Sequence, residues 1–186
     1  MKTPTTQANN PFAEPFRIAC DTPGDINEHL PTLADFACEC DHVTEFGVRT
    51  GASTIALLYA AIPRGAIVHS YDINDHFNVA PRFRNHYAYE KWTFFLADTS
   101  ALAEIHETDM LLIDTAHHYD QVKAELKHAD RVKKCIIFHD TETYRLTGDN
   151  GGIGIQPAIE ELLEEGKWVV HKHYRNNNGL TVLRRK

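Results

Sequence analysis

The sequence predicts a doubly wound α/β domain: a mostly parallel, seven-stranded sheet flanked by helices and closed by a C-terminal antiparallel hairpin. Three observations predict it. Short apolar runs alternate with helix-periodic stretches from Asp41 to about Glu165, the pattern of a parallel sheet with crossover helices. The run DHVTEFGVRTGASTIALLY, Asp41 to Tyr59, reads as strand, Gly-rich loop and helix. In an open α/β sheet, that unit holds a nucleotide-like ligand at the end of the first strand. Finally, Asn176-Asn177-Asn178-Gly179 separates the last two strand-like runs, as a hairpin turn does.

Taken in order, residues 1–24 contain Pro4, Pro11, Pro15 and Pro23 and are expected to be an extended or partly disordered arm ahead of a single domain at 25–186. Residues 25–40 hold a helix with Pro31 near its first turn. The first strand runs into the loop Gly47–Gly51, and the helix after it stops at Pro63-Arg64-Gly65. Strand two is Ala66–Tyr71, closed by Asp72; strand three is Trp92–Leu96; strand four is Asp109–Asp114. The apolar centre of strand four suits burial on both faces. A helix with Val122, Leu126 and Ala129 at core spacing leads to strand five, Cys135–Phe138. The Gly-rich stretch 141–156 is expected to be a mobile loop covering a site. A helix from Pro157 to Glu165 and strands Lys167–Tyr174 and Leu180–Leu183 complete a Rossmann-like arrangement.

Composition narrows the function. At 186 residues, 42% hydrophobic and 24% charged, the chain has the make-up of one soluble domain with a sizeable core. A net charge of −7 argues against a phosphate-driven nucleic-acid binder. No apolar run reaches the length of a membrane span. The first residues lack a charged-then-apolar signal pattern, so the expected location is cytoplasmic. Cys20, Cys38, Cys40 and Cys135 lack the second close pair that a zinc site requires and read as reduced structural thiols.

The glycine loop discriminates between ligands. Glu45-x-Gly47-x-x-x-Gly51-x-Ser53 is neither G-x-G-x-x-G nor a P-loop. An acidic residue two positions before the first glycine would repel a pyrophosphate and suits a ligand with a cationic amine. The pattern resembles motif I of the class I S-adenosylmethionine (SAM) methyltransferases. Asp72, 21 residues after Gly51, stands where an acidic residue bonds a ribose; a solvated turn is the other reading. Asp98 or Thr99 is placed to receive the adenine amine, with a helix cap as an equally good account.

Two neighbouring strands then end in metal-ligand types: Asp114 after strand four, His139 and Asp140 after strand five. Oxygen-rich ligands favour Mg²⁺, and an imidazole admits other divalent cations. His117, three residues past Asp114, is a candidate general base that would be neutral near pH 7; helix capping and a polar turn are the plainer alternative. The block LLIDTAHHYDQVKAELKHADRVKKCIIFHDT resembles the cephalosporin-hydroxylase-like, or methyltransferase-24, group. That resemblance spans about residues 41–185. It implies SAM bound by Glu45, Gly47, Arg49, Gly51, Ser53, Asp72, Asp98, Thr99 and Asp114, a divalent cation on Asp114, His139 and Asp140, and His117 as base. Ala116 and Thr115 depart from the group's usual Asp and Gly.

The implied activity is O-methylation of a hydroxylated small molecule. A nucleic-acid methyltransferase is the alternative, disfavoured by charge and by the lack of an N/D-P-P-Y/F motif; so is a non-catalytic SAM- or nucleotide-binding subunit of an assembly. The N-terminus offers little substrate cap, and a homo-oligomer is one way to complete the pocket.

Overall fold

The apolar runs form the expected sheet in the computed structural model, which describes residues 10–75 and 90–186. The strands are β1 (His42–Phe46), β2 (Ile67–Asp72), β3 (Trp92–Leu96), β4 (Thr108–Ile113), β5 (Val132–His139), β6 (Trp168–Tyr174) and β7 (Leu180–Arg185), ordered β3-β2-β1-β4-β5-β7-β6. β1 to β5 pair in parallel, while β7 lies antiparallel between β5 and β6. The order reverses between β1 and β4, and a crevice opens beyond the carboxyl ends of strands at such a switch point.

Side-chain alternation along the strands builds two cores. Val43, Met110, Leu112 and Ile137 pack with α2 (Leu30–Ala37) and α3 (Ala52–Ala61) on one face. Phe46, Leu111, Ile113 and Phe138 pack with α4 (Tyr119–Leu126) and α5 (Gln156–Glu164) on the other. β4 is buried at every residue, as its uninterrupted apolar run requires. α3 is apolar around nearly its whole circumference because it lies between the sheet and other helices.

Two expectations are corrected. The proline-rich segment before residue 24 is not extended throughout: Ala13–Asp21 is a helix, α1. Pro15 falls in its first turn, where the missing N–H costs nothing. Phe12 is buried, Phe16 stacks on Tyr59 at 4.2 Å, and the Asn10 amide donates to the Tyr59 carbonyl. Residues 73–91, polar, aromatic and basic by turns and so suited to a loop or short helix, lie largely outside the described residues. Among the described residues, no helix is long and apolar enough to cross a membrane.

The second correction concerns 141–156. Its backbone is bonded along its length: Gly148 N–H to Gly152 O, Gly154 N–H to Leu146 O, Ile155 N–H to Tyr144 O, and a bridge between Thr147 and Ile153. The loop also binds its surroundings, since Asp149 N–H donates to His117 O and Tyr119 N–H to Ile153 O. Two of its glycines, Gly148 and Gly154, serve close approach rather than freedom. A Cβ on Gly154 would lie 2.3 Å from the Tyr144 carbonyl oxygen, and one on Gly148 would lie 2.7 Å from the His118 Cβ. Amide hydrogen exchange is therefore expected to be slow at Gly148, Gly154 and Ile155 without any ligand. Exchange at those amides as fast as in a free peptide would overturn this assignment.

Candidate active site

The strand ends dictate the site. Gly47 follows β1 at φ +87°, and a Cβ there would sit 1.9 Å from the Asp114 carbonyl oxygen. Only glycine allows the loop to pass so close to the end of β4. Gly47 N–H donates to Tyr71 O and Asp114 N–H to Phe46 O, so the ends of β1, β2 and β4 are knitted together. Over them opens a cleft of about 330 Å³, lined by the loop, Asp72, Asp98, Thr99 and the segment Asp114–His117.

Asp72 is at the rim, but its carboxylate first organises the protein. One oxygen accepts from Val48 N–H at 2.8 Å and Arg49 N–H at 2.9 Å; the other accepts from Asn74 N–H. It thereby sets the shape of the glycine loop. Gly51, at φ 83°, turns that loop into α3. Arg49 lines the cleft and pairs with Asp25 at 2.7 Å. Asp98 caps the turn at Thr99–Ala101 through Ser100 N–H and Oγ–H and still faces the cleft.

Two of the expected cofactor contacts are not made by residues at the cleft surface. Glu45 is completely buried and accepts hydrogen bonds from Ser53, Thr54 and Ser70. Strand alternation turns Glu45 toward α3, one residue short of the strand end. Ser53 is buried beneath the loop as its donor. Burial outweighs those hydrogen bonds and raises Glu45 to about 7. Both residues support the glycine loop from below.

A residue absent from the sequence reading lies under the cleft floor. Glu125 on α4 is fully buried and accepts from Thr99 Oγ1, Thr115 Oγ1 and Gln121 Nε2. Burial raises its pKa despite those donors. The signal was available: Glu125 falls in the apolar stripe Val122, Leu126, Ala129, where a carboxylate requires polar partners.

The ends of β4 and β5 bring Asp114, His117, His139 and Asp140 together. His117 Nε2 lies 2.8 Å from Asp140 Oδ2 and 3.4 Å from Asp114 Oδ1. His139 Nδ1 lies 3.2 Å from Asp114 Oδ1 and 3.3 Å from Asp140 Oδ2, while its Nε2 faces the Asn177 carbonyl at 3.2 Å. A carbonyl only accepts, so His139 Nε2 carries a proton. Tyr144 stacks on His117 at 4.8 Å, and Asp149 accepts from His117 N–H. The loop 141–156 thus fixes the His117 ring.

Charge in this cluster reverses one expectation. Burial opposes a positive charge on both rings, but hydrogen bonds to Asp114 and Asp140 outweigh it, raising His117 to about 9 and His139 to about 10. Burial likewise opposes the carboxylates, yet the two histidines draw Asp114 down to about 2 and Asp140 lower still. His117 is therefore an imidazolium near pH 7 in this arrangement, not the neutral base expected. The raised histidines stabilise the fold fully below their unfolded pKa of roughly 6.5 and lose that stabilisation as pH rises to 9–10. The depressed carboxylates act oppositely, losing theirs only as pH falls below about 4. Chelator-treated protein should accordingly lose on the order of 1–3 kcal/mol between pH 6 and pH 10. Asp140→Asn should flatten that slope in urea melts; an unchanged slope would remove the cluster as its source.

Asp114, His117 and Asp140 each present one donor atom, all mutually within 4.8 Å. The imidazole in this set is His117; the expected ligand His139 is not part of it, though its Nδ1 lies 3.2 Å from Asp114 Oδ1. Asp140 Oδ1 is buried without a hydrogen-bond partner, and Asp140 holds φ +60°. A buried carboxylate oxygen without a partner is costly, and a cation would satisfy it. The donor set fits a divalent ion: carboxylate oxygens suit Mg²⁺, and imidazole nitrogen admits Mn²⁺, Fe²⁺ or Zn²⁺.

The strand order, the glycine loop at the switch point and the acidic strand ends define the α/β methyltransferase fold. The sequence pattern of a methyltransferase-domain family matches residues 44–141, and the chain belongs to that family, the methyltransferase-24 group. Comparison with curated protein sequences finds no match. Among solved structures, it is similar to the O-methyltransferase of Bacillus cereus in complex with S-adenosylhomocysteine (SAH), with TM-score 0.70, 14% identity, and 94% of this chain and 90% of that one covered. It is also similar to the N-methyltransferase NodS of Bradyrhizobium japonicum with SAH, at TM-score 0.65 and 12% identity over 95% and 99%. The SAH-bound Podospora anserina methyltransferase PaMTH1 aligns at TM-score 0.62 and 13% identity over the full length of both chains. At these identities the likeness is one of fold, and it extends to both O- and N-methyltransferases.

Proposed function

We propose that this protein transfers the methyl group of SAM to a hydroxyl of a small molecule, assisted by a divalent cation held by Asp114, Asp140 and His139 Nδ1, with His117 kept as the base. The observation that carries this reading is the carboxylate–imidazole cluster at the cleft floor, with the Asp140 Oδ1 oxygen buried and unpaired. The cation, when bound, supplies positive charge that makes a hydroxyl easier to deprotonate.

The donor side of the cleft suits SAM. Gly47 lets the ligand lie against the loop backbone, Asp72 is the acceptor for a ribose hydroxyl, and Asp98 or Thr99 faces an adenine edge. Solved relatives of this fold carry SAH, which supports the choice of donor. On the acceptor side, Asp114 and Asp140 would hold the His117 proton less strongly when engaged with a cation. His117 Nε2 would then lose its proton to solvent and, as the neutral imidazole, take one from the acceptor hydroxyl. Tyr144 and Asp149 keep the ring oriented for that transfer. A nucleic-acid acceptor is disfavoured by the five acidic residues that line the cleft, Asp25, Asp72, Asp98, Asp114 and Asp140.

The test is SAH titration by calorimetry with and without EDTA, followed by methyl-transfer assays on hydroxylated acceptors. SAH should bind in either condition, and transfer should need Mg²⁺ or Mn²⁺. Full transfer in EDTA would remove the cation from the reading. Asp72→Ala should weaken SAH binding by on the order of 1–3 kcal/mol, through both the lost ribose acceptor and a loosened loop. Unchanged affinity would refute the ribose role.

A further inference from the structure

Away from the cleft, three histidines from separate segments meet on the sheet. His42 opens β1, His69 lies within β2, and His106 stands two residues before β4. By strand alternation His42 and His69 share the face of Phe46 and Tyr71. The chain between β3 and β4 places no α-helix over them, only the turn at Thr99–Ala101.

The pair is pre-oriented. His42 Nδ1 lies 2.7 Å from the Glu107 carbonyl oxygen, which can only accept, so this nitrogen carries the proton and Nε2 offers a lone pair. His42 Nε2 in turn lies 3.1 Å from His69 Nδ1. Two nitrogens on a tetrahedral ion, each at roughly 2.0–2.1 Å, stand roughly 3.3 Å apart. The His106 ring, at an exposed residue, has its centroid 5.1 Å from that of His69 and 6.3 Å from that of His42.

We propose that His42, His69 and His106 form a second cation site, selective for a borderline transition ion such as Zn²⁺, separate from the Asp114–Asp140 cluster at the carboxyl ends of β4 and β5. An all-imidazole set suits Zn²⁺, Ni²⁺ or Cu²⁺ and offers Mg²⁺ none of its preferred oxygens. The Glu107 carbonyl is the outer partner that metal-bound histidines use to fix their tautomer. On binding, His69 moves its ring proton from Nδ1 to Nε2, His42 keeps its own, and His106 rotates inward. The ion would tie β1 and β2 to residues 97–107, the segment that begins beside Asp98 and Thr99 at the cleft. The site does not depend on the methyltransferase reading.

The experiment uses full-length protein carrying Asp114→Ala and Asp140→Ala, so that both carboxylates of the cleft cluster are removed. Calorimetry with Zn²⁺ should show one bound equivalent, and adding His106→Ala or His69→Ala should weaken it by roughly tenfold or more. Circular dichroism verifies that each variant is folded; His106→Ala, at an exposed residue, carries the test if His69→Ala does not fold. In nuclear magnetic resonance spectra, Co²⁺ should perturb the ring signals of these three histidines ahead of His128 and His171. Absence of Zn²⁺ binding, or an affinity unmoved by either histidine substitution, would overturn the site.

Discussion

Asp140→Ala is expected to lower methyl transfer by roughly 10²–10⁴-fold and to abolish its response to added Mg²⁺, the scale of losing a general base together with its charge partner. One substitution has this reach because Asp140 Oδ2 contacts both His117 and His139. Its loss leaves one buried and one part-buried imidazole with Asp114 as their remaining carboxylate in the cluster. SAH affinity should change little, because the donor side of the cleft is built from the ends of β1 and β2 and the turn after β3. His117→Ala should show a similar fall in turnover while metal binding weakens less. Steady-state assays beside SAH calorimetry separate the outcomes: a matching loss of SAH binding would make Asp140 a structural residue, and wild-type turnover would refute its part in the chemistry.

Gly47→Ala is the second large effect. The added Cβ would fall 1.9 Å from the Asp114 carbonyl oxygen, and φ +87° is strained for any residue with a side chain. No flexible side chain can yield, since the obstacle is the backbone of a fully buried strand's end. The loop must move off β4, taking the Val48 and Arg49 amides away from Asp72. We expect a stability loss of about 2–4 kcal/mol and SAH affinity too weak for calorimetry. Gly65→Ala is the control: it also has positive φ, +72°, but an added Cβ meets no atom within 4 Å, so it should cost only about 1 kcal/mol. Equal melting temperatures for Gly47→Ala and Gly65→Ala would exclude the steric argument.

The strand and helix order of this protein was legible in the sequence because it is written in short-range patterns. The uninterrupted apolar run of β4 meant burial on both faces, and the Asn-Asn-Asn-Gly turn meant a hairpin. Strand ends therefore located Asp72, Asp114 and Asp140 at one edge of the sheet, and the glycine spacing located the cleft. Tertiary structure decided what those side chains face. Glu45 reads as a ligand contact by spacing, yet the pleat turns it inward to three hydroxyls. His117 reads as a separate base, yet Tyr144 and Asp149, each more than 25 residues away in sequence, hold it against two carboxylates that keep it charged. The glycines of 141–156 read as freedom, yet the missing Cβ atoms of Gly148 and Gly154 permit backbone contacts that order the loop. Periodicity records which residues turn toward a core; the partner waiting there, and hence the charge and mobility of the site, depends on segments distant in sequence.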